Sequence, residues 1–416
     1  MLGFLAQAVT GVGFWVLAAR LFDQVNVGVA SGLFTSLQFV NYATALGLQE
    51  LLSRYRPETR TDPLLGWATL ATVAGSLVGT GLYLVAFGRG DANSALAALT
   101  DAGPLAVLGF GAVASANAIA ALADARLMWA RRWSWVFWRL TLAGAIRLPL
   151  VLLPTLALTN DGADEPSTIG VWLFFVMAAP IALSGVIALG LLRRAGNPPP
   201  TLGTPSGGWD TPLRYAGVNY LSHLAILAPQ FILPVIVFVN VRAVTYANFF
   251  LAWSIAAVAF ILPVTIGRVF LVEGSRTTAA VGATRQAAGL AVGAMLVATV
   301  GAGILSLLLP TVYGAEYTEA GRILPWLVAG GIPWSVTSIA LARARVRSDS
   351  LSIVVMTAFA AVSVLGLAVA LVPSRDLDGA IAAWGLGNAV ASAVAVVLVS
   401  MRSGSGADYA DSAPTT

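Results

Sequence analysis

The chain has 416 residues, of which 58% are hydrophobic and only 10% are charged, and its mean hydropathy is +0.84. Soluble domains carry roughly a quarter charged residues, so this composition excludes a soluble globular protein and makes lipid the solvent for much of the chain. All of the 23 basic residues are arginines, spread over many short connections with no basic patch and interleaved aromatics, which argues against a nucleic-acid partner. With no cysteine and one histidine, we expect no disulfide, iron–sulfur cluster, thiol catalysis, zinc site or other cofactor.

Twelve apolar stretches come close to the length of about 20 residues that crosses the hydrocarbon core of a bilayer. They lie at 3–22, 28–52, 65–88, 103–125, 134–157, 168–192, 215–239, 244–271, 288–312, 322–342, 351–373 and 379–401. The first lacks a basic leading region and a cleavage site of small residues, so we interpret it as a span and not as a signal peptide. Its abrupt beginning leaves the identity of the start methionine open.

The longest connection, AGNPPPTLGTPSGGWDT at 195–211, has the proline and glycine content of an irregular linker. It divides the chain into an N-terminal six-helix lobe at 1–194 and a C-terminal six-helix lobe at 212–402. The polar tail at 403–416 is predicted to be disordered. Because each half has an even number of spans, both halves enter the membrane in the same direction, as in transporters built from parallel repeats. The sequence therefore predicts an all-α polytopic membrane protein with about 12 transmembrane helices.

The arginines predict the orientation of these spans. Fifteen lie in connections on one side, including Arg126, Arg131 and Arg132 beside tryptophans at a span end, against five on the other side. The poorer side also has the acidic loop Asp161–Glu165. The positive-inside rule then predicts a multi-pass protein of the cell membrane with both termini in the cytoplasm.

Charged side chains deep in a membrane are costly, so each is a candidate for function. Arg147 lies 13 residues into the fifth span, about 20 Å along the helix and therefore near the midplane. It either makes a buried ion pair or carbonyl contact that holds helices together or, as we favour, lines a water-filled cavity. Arg139 either pairs with Asp124, reaches the interface or binds a ligand, and Arg268 in the eighth span either reaches the interface or lines the same cavity.

Two spans carry polar stripes at helical spacing. The second span has Ser31, Thr35, Gln38, Tyr42 and Gln49, and the seventh has Asn219, His223 and Gln230. A single polar residue favours hydrogen bonding between helices, whereas a stripe along a whole span favours a solvated face. His223 either couples a proton to transport or packs with a hydrogen bond.

Sequence signals of catalysis are missing. The chain has no Walker A loop, HExxH or Gly-x-Ser-x-Gly motif, and its first outer loop, Asp23–Val27, is only a few residues long. We therefore expect a transporter with a cationic cavity and not an enzyme.

Three segments carry a recognisable pattern: 17–58, 244–267 and 308–330. They resemble the Wzx-type polysaccharide and lipid-linked oligosaccharide flippases of the multidrug/oligosaccharidyl-lipid/polysaccharide transporter superfamily. The resemblance covers most of the chain in layout and these three segments in motif, with Asp23 standing where the family often has glycine. The matching residues are Arg20, Gly28, Gly47, Leu48, Arg54, Tyr55, Tyr246, Pro263, Tyr313, Gly314, Tyr317, Ala320 and Leu324.

The resemblance implies two six-helix lobes around a central cavity and a polyprenyl-pyrophosphate-linked oligosaccharide as cargo. Arginines suit a pyrophosphate because the guanidinium gives bidentate, permanently charged contacts. We expect Arg147 first, then Arg268 and Arg139, to bind it. The expected contacts to sugar hydroxyls are Gln38, Tyr42, Asn219 and Gln230, with His223 near them.

Two alternatives stay open. A multidrug or cation antiporter of the same superfamily would want an intramembrane carboxylate, and a membrane glycan-processing enzyme would need an acidic outer loop such as Asp161–Glu165. As further partners we expect membrane lipids, a coupling cation or proton, and glycan-assembly proteins, with the chain itself a monomer.

Overall fold

A computed structural model describes residues 2–55, 61–87, 95–153, 166–192, 194, 197–204, 208–274, 281–347 and 349–404. Helices make up nearly all of these ranges, and the one extended pairing within them is an isolated bridge between Asp62 and Pro200. Seven helical stretches of this part are long and apolar enough to cross a membrane.

The helices follow the predicted spans. The first eight are α1 Leu2–Leu21, α2 Gln24–Thr44, α3 Leu48–Arg54, α4 Pro63–Phe87, α5 Ala95–Asp101, α6 Pro104–Trp129, α7 Trp133–Leu150 and α8 Pro166–Leu191. The remaining six are α9 Asp210–Asn240, α10 Ala243–Gly274, α11 Val281–Tyr313, α12 Thr318–Ala329, α13 Gly331–Val346 and α14 Ser350–Gly404. The predicted spans coincide with helices, two of them with a pair of helices: 28–52 with α2 and α3, and 322–342 with α12 and α13. The prediction of an all-α polytopic fold is confirmed.

The helix α14 contains two predicted spans. Its backbone leaves the helical region at Asp376, where φ is 48° and ψ is −124°. That break lies between the predicted spans 351–373 and 379–401, so α14 is two membrane-spanning helices joined by a tight turn.

The second span is not one helix. Leu46 and Gly47 both take left-handed backbone angles, with φ of 51° and 65°, and they separate α2 from α3. Gly47 accepts this conformation at no steric cost, and a Cβ there would press on the carbonyl of Ala216 and come within 3.1 Å of the backbone nitrogen of Tyr220. The prediction of an uninterrupted span at 28–52 is therefore wrong, and the short helix α5 was not predicted at all.

The chain divides into two compact units. The first consists of Met1–Leu224 with Arg242–Ala247, and the second of Ala225–Val241 with Asn248–Thr416. In the first unit α6 and α2 pack on α8, α1 packs on α7, and α4 packs on α6. The predicted lobe boundary at 195–211 stays a prediction, and the tail beyond residue 404 lies outside the described residues.

The second unit is built around aromatic side chains. Trp384 contacts the rings of Trp253 and Phe260, and its Nε1 donates to the carbonyl of Leu327 at 3.1 Å. In the same unit α13 packs on α14, and α11 packs on both α12 and α13.

Candidate functional site

Arg147 lies in the last turn of α7, and its guanidinium is buried between α1 and α8 with 1% of the residue exposed. Its Nη2 donates to the carbonyl of Gln7 at 2.6 Å and to Oγ1 of Thr10 at 3.0 Å, and its Nη1 points to Sδ of Met177 at 3.4 Å. Met177 lies near the middle of α8, a helix of 26 residues. The guanidinium therefore lies beside the middle of α8, although Arg147 itself is in the last turn of α7.

Glycines let α1 and α7 come close enough to bury this side chain. A Cβ on Gly11 would lie 3.0 Å from Nη2 of Arg147, and a Cβ on Gly144 would collide with Oγ1 of Thr10. Small residues at a helix crossing permit such an approach in a membrane, where close packing drives helix association. The contact at Gly11 and Gly144 holds Thr10 and Gln7 against the guanidinium.

The charge of Arg147 is not balanced by a carboxylate among its hydrogen-bond partners. All of these partners are neutral, and Nε has no hydrogen-bond partner among the described residues. The structure thus shows the carbonyl contact that the sequence left as one alternative, while the favoured expectation of a side chain in a water-filled cavity is not met. Burying a cation without a counter-charge costs free energy, so Arg147 is a candidate for a functional role.

Arg139, eight residues earlier on α7, is balanced. Its guanidinium pairs with both carboxylate oxygens of Asp124, with Nε to Oδ1 at 2.9 Å, and Nη1 donates to Oγ of Ser184 at 2.9 Å. Both charged side chains are 8% exposed. Of the three interpretations of Arg139, pairing with Asp124 is what the structure shows, and its role toward a substrate stays a prediction.

A third buried arginine, Arg126 at the end of α6, was interpreted from sequence as part of an anchor at the membrane interface. It is fully buried instead. Its Nη2 donates to Oδ1 of Asp62 at 2.8 Å, its Nε lies 2.7 Å from Oδ2, and its Nη1 donates to the carbonyls of Leu52 at 2.8 Å and Tyr55 at 2.6 Å. We name Arg126, Asp62 and these two carbonyls the Arg126 centre. Apolar side chains of α3, α4 and α6 surround it.

Asp62 also caps the N-terminus of α4, and that position is the sequence signal that could have revealed it. Its Oδ1 accepts from the backbone N–H of Leu65 at 3.1 Å, and Pro63 follows it directly. An aspartate before a proline at the start of an apolar run is a strong helix N-terminus signature. The pairing with Arg126, 64 residues later in the chain, has no signature of its own.

Part of the predicted linker is bound to the start of α4. The N–H of Asp62 donates to the carbonyl of Pro199 at 2.8 Å, and the N–H of Thr201 donates to the carbonyl of Asp62 at 3.3 Å. The indole N–H of Trp67 donates to the carbonyl of Gly203 at 3.2 Å. Residues 197–204 are therefore anchored beside the Arg126 centre within the first unit.

Most of the polar stripe on α2 is buried in contacts between helices. The hydroxyl of Tyr246 donates to Oγ1 of Thr35 at 2.6 Å, and the hydroxyl of Tyr42 donates to the carbonyl of Leu224. Ser31 is fully buried and bonds within its own helix. The expectation that the whole stripe is solvated is therefore wrong, because tyrosines with long reach satisfy these side chains and backbone groups.

The other predicted site residues are less constrained. Gln38 in the first unit and Gln230 in the second are both partly exposed. The side chains of Asn219, His223 and Arg268 lie outside the described part of the structure. Within that part, no cluster of three or more histidine and carboxylate side chains could hold a metal ion.

No protein-family model and no curated protein sequence matches the chain. Solved structures do. An inward-facing multidrug resistance MATE family transporter of the MOP superfamily superimposes with a TM-score of 0.65 at 15% identity, covering 96% of this chain and 94% of its own. The lipid II flippase MurJ, in an inward closed conformation, gives a TM-score of 0.71 at 12% identity, covering 96% of this chain and 86% of its own.

A third structure is a MOP superfamily transporter from Pyrococcus furiosus whose binding pocket is described as having reverse polarity. It superimposes with a TM-score of 0.55 at 14% identity and covers 97% of this chain and 93% of its own. At such low identities the likeness is one of fold. The chain has the helical fold of these membrane transporters, which include both a drug transporter and a lipid flippase.

Proposed function

We propose that the protein is a membrane transporter that flips a polyprenyl-pyrophosphate-linked oligosaccharide, or exports a polysaccharide precursor, across the cytoplasmic membrane by alternating access. The observation that carries this proposal is the guanidinium of Arg147, which is buried between α1 and α8 with only neutral hydrogen-bond partners. The fold shared with the lipid II flippase MurJ supports it.

The charge and the free donors of Arg147 suit a pyrophosphate. Nε has no described partner, and Nη1 has only the thioether of Met177, which is a weak acceptor. A phosphate oxygen would supply both the missing negative charge and a strong acceptor. Charge-assisted hydrogen bonds of this kind are about twice as strong as neutral ones. Exchanging Gln7 and Thr10 for phosphate oxygens would therefore be favourable.

Access to Arg147 requires movement of α1 relative to α7. The glycine contacts at Gly11 and Gly144 make the present arrangement close-packed, so a modest separation of the two helices would expose the guanidinium. In this proposal the unpaired cation is covered in one conformation and offered to the head group in the other. In alternating access, a substrate site is exposed in one conformation and covered in another.

The remaining predicted contacts belong to the same proposal. Arg268 and Arg139 would assist with the pyrophosphate, and His223 would carry a coupled proton. Gln38, Tyr42, Asn219 and Gln230 would bind sugar hydroxyls, with Tyr42 first releasing the carbonyl of Leu224. We further propose a monomer that works beside glycan-assembly proteins.

A second candidate is a multidrug or cation antiporter, favoured by the likeness to the MATE transporter over 96% of this chain. Such an exporter would use an ionised carboxylate to attract a cationic drug. In the first unit, the buried carboxylates among the described residues are Asp62 and Asp124, and both are paired with arginines. The charge that remains unbalanced there is positive, which favours an anionic cargo.

The experiment that separates the two is mass spectrometry of lipid extracts from a strain lacking the gene. The proposal predicts that a polyprenyl-linked oligosaccharide accumulates in this strain and that the wild-type gene abolishes the accumulation. A gene for Arg147→Met should leave the accumulation in place, although the variant reaches the membrane in normal amount. Unchanged lipid intermediates together with increased sensitivity to toxic cations would favour the antiporter instead.

A further inference from the structure

A long apolar groove lies on the first unit between α7 and α8. Its volume is about 750 Å³. Its rim carries Leu142, Ile146, Leu183 and Ile187, each at least half exposed, whereas its floor includes the small residues Ala143 and Ala179. The small residues on the floor, between larger ones on the rim, leave the space open.

The groove is almost free of polar groups. Its two polar lining residues are Arg139 and Ser184, and they hydrogen-bond to each other at 2.9 Å. The charge of Arg139 is balanced by Asp124, so the groove offers no net charge along its length. A ligand lying in it must be an apolar chain.

The length of the groove indicates which kind of apolar chain fits. The lining runs from Trp135 to Leu150 along α7 and on to Leu153 beyond its end, and from Trp172 to Leu191 along α8. At about 1.5 Å per residue, the face on α8 is about 28 Å long, close to the hydrocarbon thickness of about 30 Å. The acyl chain of a phospholipid occupies one leaflet, about half of that distance. An isoprenoid chain that passes through both leaflets would fill the groove.

Positive charge lies at one end of the groove. Arg131 and Arg132 are exposed and come one turn before Trp135, and the neighbouring Trp133 is also exposed. Arginine and tryptophan together are typical of the membrane interface. A phosphate at this end would lie near these two exposed arginines while its chain follows α7 and α8.

We propose that this groove binds a polyprenyl phosphate lipid, with the phosphate at Arg131 and Arg132 and the isoprenoid chain along α7 and α8. The inference rests on the proposed function, for which it supplies a holding site for the lipid carrier. Surrounding lipid tails are as apolar as the groove, so burial alone does not select a ligand. Selection comes from the length of the groove, its packing against the chain and the charge at one end.

Native mass spectrometry of the purified full-length protein tests this, with undecaprenyl phosphate, farnesyl phosphate and dioleoyl phosphatidic acid as probes. Undecaprenyl phosphate is expected to bind in preference to both shorter lipids. Ala179→Phe, which places a ring in the groove, is expected to weaken that binding about tenfold. The matched control is Ala74→Phe, since Ala74 is exposed on α4 and does not line the groove; it should bind as the wild type does. Ile146→Trp blocks the groove from the exposed rim and replaces Ala179→Phe if that variant does not fold.

Equal binding of undecaprenyl phosphate and phosphatidic acid would overturn the inference, as would unchanged binding in the folded blocking variant. The proposed function fails separately. If the wild type and Ala179→Phe translocate a lipid-linked oligosaccharide in proteoliposomes equally well and also bind undecaprenyl phosphate equally well, the groove is not the lipid site. The proposed function would then still hold. If the protein binds undecaprenyl phosphate selectively but translocates no lipid-linked oligosaccharide, the inference about the groove holds and the proposed function is wrong.

Discussion

Arg126 and Arg147 are both almost fully buried in the same unit, yet their surroundings differ. Arg126 has a carboxylate and two backbone carbonyls for its donors, whereas Arg147 has a carbonyl, a hydroxyl and a thioether. A charge buried for structure needs a counter-charge, because an isolated ion is costly to remove from water. A charge that stays unbalanced inside the protein is the reason for our proposal that a ligand pairs with Arg147 during function.

The two arginines also differ in what their loss would leave behind. Without Asp62, the guanidinium of Arg126 and the N–H of Leu65 both lose an acceptor. Without the guanidinium of Arg147, Thr10 still donates to the carbonyls of Ala6 and Gln7. The comparison therefore predicts a large loss of stability at one centre and almost none at the other.

The largest effect is expected for Asp62→Ala, which leaves Arg126 buried and unpaired. Removing one partner of a buried pair costs about 3–5 kcal/mol, so the variant should unfold at a much lower temperature in detergent or fail to accumulate. The double variant Asp62→Leu with Arg126→Met, which removes both charges, should recover most of the loss. A melting temperature for Asp62→Ala equal to that of the wild type would contradict the structural role of this centre.

The next effect concerns the crossing of α1 and α7. Gly144→Val would force Thr10 away and separate the helices, at a cost of about 1–3 kcal/mol for overpacking. Gly81→Val is the matched control, because a Cβ at Gly81 meets nothing within 4 Å. Thermal unfolding in detergent should distinguish the two variants, and equal melting temperatures would show that the crossing is looser than described.

A smaller effect is expected at Arg322, an exposed arginine of the second unit. It pairs with Glu319 and Asp378, and its side chain is 47% exposed. Exposed pairs contribute less than about 1 kcal/mol, so Arg322→Ala should lower the melting temperature only slightly, and less still at high salt. A loss as large as that of Asp62→Ala would mean that the degree of burial does not govern these pairs.

The smallest effect on stability is expected for Arg147→Met, which removes an unbalanced charge and keeps a long side chain. Replacing buried charged groups by apolar ones of similar size is often neutral or stabilising. The melting temperature should therefore equal or exceed that of the wild type. A strong destabilisation would make Arg147 a structural residue like Arg126.

The sequence predicted the helices because hydropathy and length decide membrane spans. The break at Leu46 was not predicted, since a leucine with left-handed backbone angles has no sequence signature. The helix α5 was not predicted because it is too short to be recognised as a membrane span. The depth of Arg147 in the membrane, which we counted from the residues along the fifth span, stays a prediction.

The partners of the buried arginines were only partly predictable. Asp124 was named for Arg139 because the two lie on neighbouring helices. The carbonyls of Gln7, Leu52 and Tyr55 could not be named, since every residue has a carbonyl and only the packing decides which one is reached. The cavity proposed around Arg147 failed for the same reason: two glycines bring α1 against it.

The most direct test of a ligand-binding role for Arg147 is translocation of a polyprenyl-diphosphate-linked oligosaccharide by the purified protein in proteoliposomes. Arg147→Met should reduce the rate about tenfold to hundredfold, equivalent to the ~1.5–3 kcal/mol of a charge-assisted hydrogen bond. Arg147→Lys, which keeps the charge but not the bidentate geometry, should fall between this variant and the wild type. A folded Arg147→Met protein that translocates the lipid at the wild-type rate would contradict the account.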